Sequence, residues 1–214
     1  MIALRPNPRL RSFAAILLVL LMAAAAAAMV ASRDQRREPA LAEQTHVMKA
    51  GIFDPPEMAP DFSLPGSDGS DVTLARYRGK VVLLTFGFTY CAAVCPTTMS
   101  TLAQAHASLG QAGKDVQVIF VTVDPARDDA ASMRTYLAAF DPTFVGATGE
   151  PAALAKVREK YGVTAVRQGS GPDYAIAHTS SIFLIDREGR LRAMMPFGHD
   201  AGDFVHDVRI LMNA

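Results

Sequence analysis

The stretch Val81–Met99, VVLLTFGFTYCAAVCPTTM, decides how this chain is read. Its first eight residues, Val81 to Phe88, form a continuous apolar run rich in branched side chains, the pattern of a strand buried on both faces. Pro96 to Leu109 then reads as a helix with proline in its first turn. The only two cysteines of the chain fall at this junction. Cys91 and Cys95 therefore lie at the carboxyl end of a strand, where α/β proteins gather their ligands.

Working outward, VQVIFVTV (Val116 to Val123) reads as a second buried strand. Asp129 to Phe140 and Pro151 to Tyr161 read as helices, with the short strand TFVGAT between them. SSIFLID (Ser180 to Asp186) and LRAMMPF (Leu191 to Phe197) flank the turn Arg187-Glu188-Gly189 as a hairpin, and Ala201 to Met212 closes the chain as a helix. Upstream, Ala59 to Lys80 reads as a short hairpin turning at Gly66 to Ser70. Strands alternating with helices and ending in an antiparallel hairpin give an α/β fold: a central mixed sheet flanked by helices, with an N-terminal hairpin extension. Residues 59–214 form one domain of ordinary length.

The N-terminus reads as an address. Arg5, Arg9 and Arg11 precede an uncharged apolar run from Phe13 to Ala31. Nineteen helical residues cover about 28 Å, close to the hydrocarbon thickness of a bilayer, and basic residues ahead of the run favour a cytoplasmic N-terminus. The full span favours an uncleaved anchor over residues 1–31. The alanine run Ala23 to Ala28 offers cleavage sites for a signal instead, and both readings export the rest of the chain. Residues 32–58, mixed and polar with prolines at 39, 55 and 56, read as a linker. The expected location is the inner membrane, with one N-terminal span and the domain in the periplasm.

Composition excludes several classes. With 21 basic and 21 acidic residues the chain lacks the basic surplus of a nucleic-acid binder. At 50% hydrophobic it is not intrinsically disordered. Two cysteines make neither a disulfide scaffold nor a four-thiolate zinc site.

Four residues apart on a helix, two sulfurs can aim at one point. If the helix begins near Ala92, its first-turn amides also point at the sulfurs and favour thiolate. Inert core thiols, a structural disulfide, a reactive dithiol and a metal site all remain open. A disulfide closing so short a loop would remove little chain entropy. Redox dithiols normally carry two intervening residues, whereas three stand here, leaving room for an atom between the sulfurs. Thiolates are soft ligands that select Cu(I) or zinc, and Cu(I) accepts three donors. The missing donor would be an imidazole. Of the five histidines, His46 falls in the linker, His106 on the helix after the cysteines, and His199 and His206 near the last helix. His178 stands immediately before the penultimate strand, in AIAHTSSIFLID, and is the candidate by position.

The segments FGFTYCAAVCPTTM, VTVDPARDD and AHTSSIFLID, in this order and spacing, resemble the Sco/SenC family of copper-binding proteins, which assist assembly of the binuclear copper centre of cytochrome c oxidase. The resemblance runs from about Ala59 to Ala214. It implies a thioredoxin-like fold and one copper per chain, as Cu(I) or Cu(II), held by Cys91, Cys95 and His178. It also implies a redox-active Cys91–Cys95 disulfide, and Asp124 close behind the ligands. The implied partner is the copper-bearing oxidase subunit or another copper-trafficking protein. Two departures stand out: Ala92 replaces the usual proline after the first cysteine, and Ala177 replaces the usual aspartate before the histidine. The main competing function is a periplasmic thiol–disulfide reductase acting on an oxidase subunit or another partner, which needs the thiolates but not His178. A copper store or redox sensor is a blander alternative. A peroxiredoxin-type peroxidase, suggested by APDFSLPG, is disfavoured because its peroxidatic cysteine needs no second cysteine four residues on.

A reporter enzyme fused after Ala214 is expected to be active only when exported, and the full-length chain to fractionate with the membrane. Cytoplasmic activity of the fusion would refute this topology.

Overall fold

The computed structural model describes Met22, Met29 and residues 47–213. The rest of the expected anchor, and linker residues 32–46, lie outside the described residues. Among the described residues no helix is long and apolar enough to cross a membrane. The chain divides into two units, residues 1–47 and 48–214, and the second carries both cysteines and His178.

In chain order the elements of this second unit are β1 (Gly51–Met58), β2 (Leu64–Pro65), β3 (Asp71–Val72), β4 (Val81–Gly87), α1 (Val94–Leu109), β5 (Val116–Thr122), α2 (Ala130–Ala138), β6 (Val145–Ala147), α3 (Pro151–Lys160), β7 (Ala165–Gln168), β8 (Ala175–His178), β9 (Ser181–Ile185), β10 (Arg190–Pro196) and α4 (Ala201–Met212). Six strands form one sheet in the order β1-β10-β9-β4-β5-β6, while β2 pairs with β3 and β7 with β8 as separate two-stranded ribbons. β4 runs parallel to β5 from Val81↔Val116 to Gly87↔Thr122, and antiparallel to β9. Paired on both edges and buried at every residue, it explains the unbroken apolar run. The mixed, helix-flanked sheet and the β2–β3 hairpin match the expectation from sequence. Asp129 caps α2 by accepting from the Ser132 amide, and Asp200 caps α4 by accepting from that of Asp203.

Two segments correct the sequence reading. The linker assigned to 32–58 ends early, because Gly51–Met58 is an edge strand antiparallel to β10. All eight of its residues are exposed, so it joins the sheet through backbone and leaves no apolar alternation to read. Its register slips between Ile52 and Glu57, around Pro55 and Pro56, which cannot donate to the ladder. Just ahead of it, the amides of Lys49 and Ala50 donate to the two carboxylate oxygens of Asp207 at 2.7 and 2.8 Å. Asp207 is completely buried on α4. The second correction is the β7–β8 hairpin, which the sequence reading leaves without an element: His178 is the last residue of its second strand.

His106 neither caps a helix nor stands free in solvent. Its Nδ1 meets the Asp141 carboxylate at 2.8 Å and its Nε2 the Gly113 carbonyl at 2.9 Å, tying the end of α1 to the loop before β6.

A chain beginning at residue 46 is expected to melt cooperatively. One beginning at Ala59 would lose β1 and leave the Asp207 carboxylate buried without its two amide donors, at a cost on the order of 3 kcal/mol. Denaturant titration of the two chains measures the difference; equal midpoints would show that β1 and Asp207 contribute nothing.

Candidate metal centre

The site grows from the end of β4. The chain leaves Gly87, turns through Phe88, Thr89 and Tyr90, and presents Cys91 before α1 begins at Val94. Helix α1 has no side-chain cap at Ala93. The Cys95 amide, in its first turn, donates instead to the Cys91 sulfur at 3.4 Å. A helix N-terminus leaves such donors free and carries positive potential, which favours sulfur as thiolate. Burial pushes the half-buried Cys91 thiol up, but hydrogen bonds from the amides of Cys95, Ala93 and Val94 and from the Cys95 side chain outweigh it. The net direction is below the ordinary thiol value. Cys95 is opposite in character. Only 3% exposed, it is pushed up to about 12, chiefly by burial and further by the neighbouring Cys91. Both cysteines are free thiols. Gly87 makes room for this arrangement: a Cβ there would stand 2.9 Å from the Cys95 sulfur and 2.6 Å from the Phe120 ring.

His178 completes the group from the other side. Its Nδ1 lies 2.9 Å from the carbonyl oxygen of Thr179, which only accepts, so Nδ1 carries the ring proton. In the neutral ring Nε2 is then the acceptor, and its lone pair faces the Cys95 sulfur 3.6 Å away. The Phe88 ring packs edge-on against the imidazole at 5.9 Å. Cys95 and His178 line a cavity of about 10 Å³ with Thr85, Thr98 and Phe120, too small for an organic ligand. Metal–sulfur and metal–nitrogen bonds of about 2.3 and 2.0 Å at a trigonal angle separate the donors by roughly 3.7 Å. The Cys95–His178 pair thus already stands at the span of one ion. The donors meet in pairs, Cys91 with Cys95 and Cys95 with His178. Among the described residues no three His, Cys, Asp or Glu side chains form a ready-made metal cluster.

Asp124 makes its hydrogen bonds to neighbours of the candidate ligands rather than to the ligands themselves. Its carboxylate accepts from the Tyr174 hydroxyl and from Arg127 Nε, and the atom orienting the imidazole is the Thr179 carbonyl. Sequence reasoning missed Asp128, four residues on in the same DPARD segment. It is fully buried and accepts from the amide and hydroxyl of Thr89 and the hydroxyl of Thr122. The signal was present: three carboxylates just after a buried strand, at the end of the sheet that carries the cysteines. Of the other histidines, His46 lies outside the described residues, His199 pairs with Asp203 at 2.8 Å and His206 with Asp207 at 2.9 Å.

Comparison with known proteins bears on this geometry. Residues 52–213 match the family model SCO1/SenC. An SCO2-like protein of Rickettsia conorii is 30% identical over 156 residues, covering 72% of this chain and 74% of that one. The mitochondrial SCO2 homolog of Mus musculus is 34% identical over 154 residues, covering 70% of this chain but only 60% of its own length. Among solved structures, copper-bound ScoI of Bradyrhizobium japonicum is 34% identical with a TM-score of 0.67, covering 72% of this chain and 99% of that one. The apo Sco1 protein of Thermus thermophilus is 37% identical with a TM-score of 0.70, covering 78% and 98%. The fold is thioredoxin-like. With the family match running from β1 to the end of α4, across both cysteines and the histidine, this chain belongs to the SCO1/SenC family.

Proposed function

We propose that the domain takes one copper ion between Cys91, Cys95 and His178. It then passes the ion to the copper-bearing subunit of cytochrome c oxidase or to another copper-trafficking protein. In this reading residues 1–31 hold the chain at the inner membrane and the domain works in the periplasm. The observation that carries the proposal is the Nε2 lone pair of His178 standing 3.6 Å from the Cys95 sulfur, at the span of one metal ion. The copper-bound relative from Bradyrhizobium japonicum supports it. So does the donor set, because two thiolates are soft enough for Cu(I) and an imidazole lets the site hold Cu(II) as well.

The two thiols contribute differently. Copper replaces the Cys95 proton, so loading releases protons and weakens as pH falls. Cys91, the more exposed and more acidic thiol, is the sulfur an incoming partner thiolate can approach. An incoming partner thiolate therefore reaches the ion beside Cys91, while Cys95 holds it from behind.

The same asymmetry favours a second reading, thiol–disulfide exchange with a partner. The Cys91 thiolate would attack a partner disulfide and expel one partner thiolate. Cys95, losing its proton, would then displace the other, leaving the Cys91–Cys95 disulfide and a reduced partner. This chemistry does not require His178.

His178→Ala in the reduced full-length chain is expected to cost Cu(II) affinity by at least about 100-fold, beyond the roughly 10- to 100-fold typical of groups that only support ligands. Part of a two-coordinate Cu(I) form should remain, as should disulfide exchange. Oxidation of the two cysteines to a disulfide should abolish binding of both copper states. Copper per chain, partner-disulfide reduction and oxidase assembly in cells are the readouts. Intact assembly with no bound copper would overturn the copper-delivery reading and leave the reductase.

In the copper-free, reduced chain, iodoacetamide should modify Cys91 at least about tenfold faster than Cys95, since the thiolate is the nucleophile and Cys95 is buried. Peptide mass spectrometry over a time course checks this; equal rates would contradict the asymmetry.

A further inference from the structure

His178 rides on a weakly attached element. β7 and β8 pair only with each other, outside the six-stranded sheet. A lone two-stranded hairpin is marginal in water, and every residue of these two strands is exposed or half-buried. Its base is tied by the Thr179 amide to the Thr164 carbonyl at 3.1 Å, and by the Thr164 amide to the Thr179 hydroxyl at 3.1 Å. Those bonds join the two ends of the hairpin to each other.

Ala165 and Ile176 pack against the core, and the polar tie to the body of the domain lies at the start of β8. The Tyr174 hydroxyl donates to Asp124, a carboxylate only 3% exposed in the loop after β5. Arg127 Nε donates to the other oxygen of the same carboxylate, and its Nη1 donates to the Pro172 carbonyl at 3.3 Å. The Tyr174 ring is stacked by two guanidinium groups, that of Arg127 at 3.6 Å and that of Arg167 at 3.7 Å from its centroid. Arg127 also lies 5.7 Å from the Phe88 ring, which packs against His178. One buried carboxylate and one arginine thus hold both the strand that carries the imidazole and the ring that flanks it.

We propose that Asp124, Arg127 and Tyr174 form a latch that sets the fraction of molecules in which His178 stands beside Cys95. The proposal rests on the reading of His178 as a copper ligand. The three are positioning residues and none of them donates to the ion. When a site is competent only with the hairpin latched, the apparent dissociation constant is the intrinsic one divided by the latched fraction. Loosening the latch therefore weakens the three-donor form and spares binding by the two thiolates alone. Tyr174→Phe removes the hydroxyl and keeps the ring between the two arginines, so it tests the tie to Asp124 alone. Arg127→Lys keeps the charge but loses the planar group that stacks and forks, and it should not restore the latch.

The test uses the full-length chain. Tyr174→Phe should weaken Cu(II) binding about tenfold, in the range of groups that support ligands, with Cu(I) binding in the His178→Ala background unchanged. Hydrogen exchange at the amides of residues 175–178 should quicken, while that of β4 and β5 stays as in the parent. The decisive measurement is the double variant: if the latch acts through His178, Tyr174→Phe adds no further loss of Cu(II) affinity once His178 is alanine. Additive losses would overturn the latch, as would unchanged exchange at residues 175–178. If His178→Ala alone left Cu(II) affinity intact, the ligand reading would fail instead, and quickened exchange in Tyr174→Phe would still register the latch as a tie on the hairpin.

Discussion

The buried carboxylate of Asp128 fastens together the strand ends on which the site is built. It accepts from the amide and hydroxyl of Thr89, in the loop that carries Cys91, and from the hydroxyl of Thr122 at the end of β5. Its own carbonyl accepts from the Thr148 hydroxyl, just past β6. A fully buried carboxylate is tolerable only when its oxygens are occupied, and removing its partners would leave a costly uncompensated group. Burial, the largest influence on Asp128, raises its pKa even against the threonine bonds. The cysteine loop is therefore bound to the sheet through buried polar contacts as well as through the chain.

From that fixed edge the thiol asymmetry follows without further machinery. Cys91 lies just outside the helix and Cys95 just inside it, so one sulfur receives an amide and the other is packed beneath it. Gly87 lets the buried sulfur sit close against the sheet, since any larger residue would occupy its space and that of Phe120. Three intervening residues place the two sulfurs in two electrostatic environments one helical turn apart.

The parts of the fold legible in the sequence are those whose burial imposes a local pattern. β4 and β5 are buried at every residue and read as apolar runs. α4 alternates buried and half-buried positions at helical spacing behind the Asp200 cap. β1 was hidden because all of its side chains are exposed and two are proline, so only its backbone records the pairing. β7 and β8 were hidden because a short, largely exposed ribbon has little need of apolar alternation. The site divides in the same way. Cys91 and Cys95 announce themselves by standing at a strand–helix junction, and His178 by its place before β9. The Tyr174–Asp124 contact spans fifty residues of chain and the Thr89–Asp128 contact thirty-nine, and such pairings leave no trace in any local window.

The separateness of the β7–β8 ribbon has a kinetic meaning. Two of the three candidate donors belong to the rigid sheet-and-helix body, and the third belongs to a ribbon that can lift without breaking a single bond of the six-stranded sheet. Local openings of this kind need only part of the free energy of global unfolding and occur on microsecond-to-second timescales. In the proposed function the imidazole is then the first donor to leave and the last to return. The residence time of the cargo would be governed by the breathing of one small hairpin rather than by the stability of the domain that carries it.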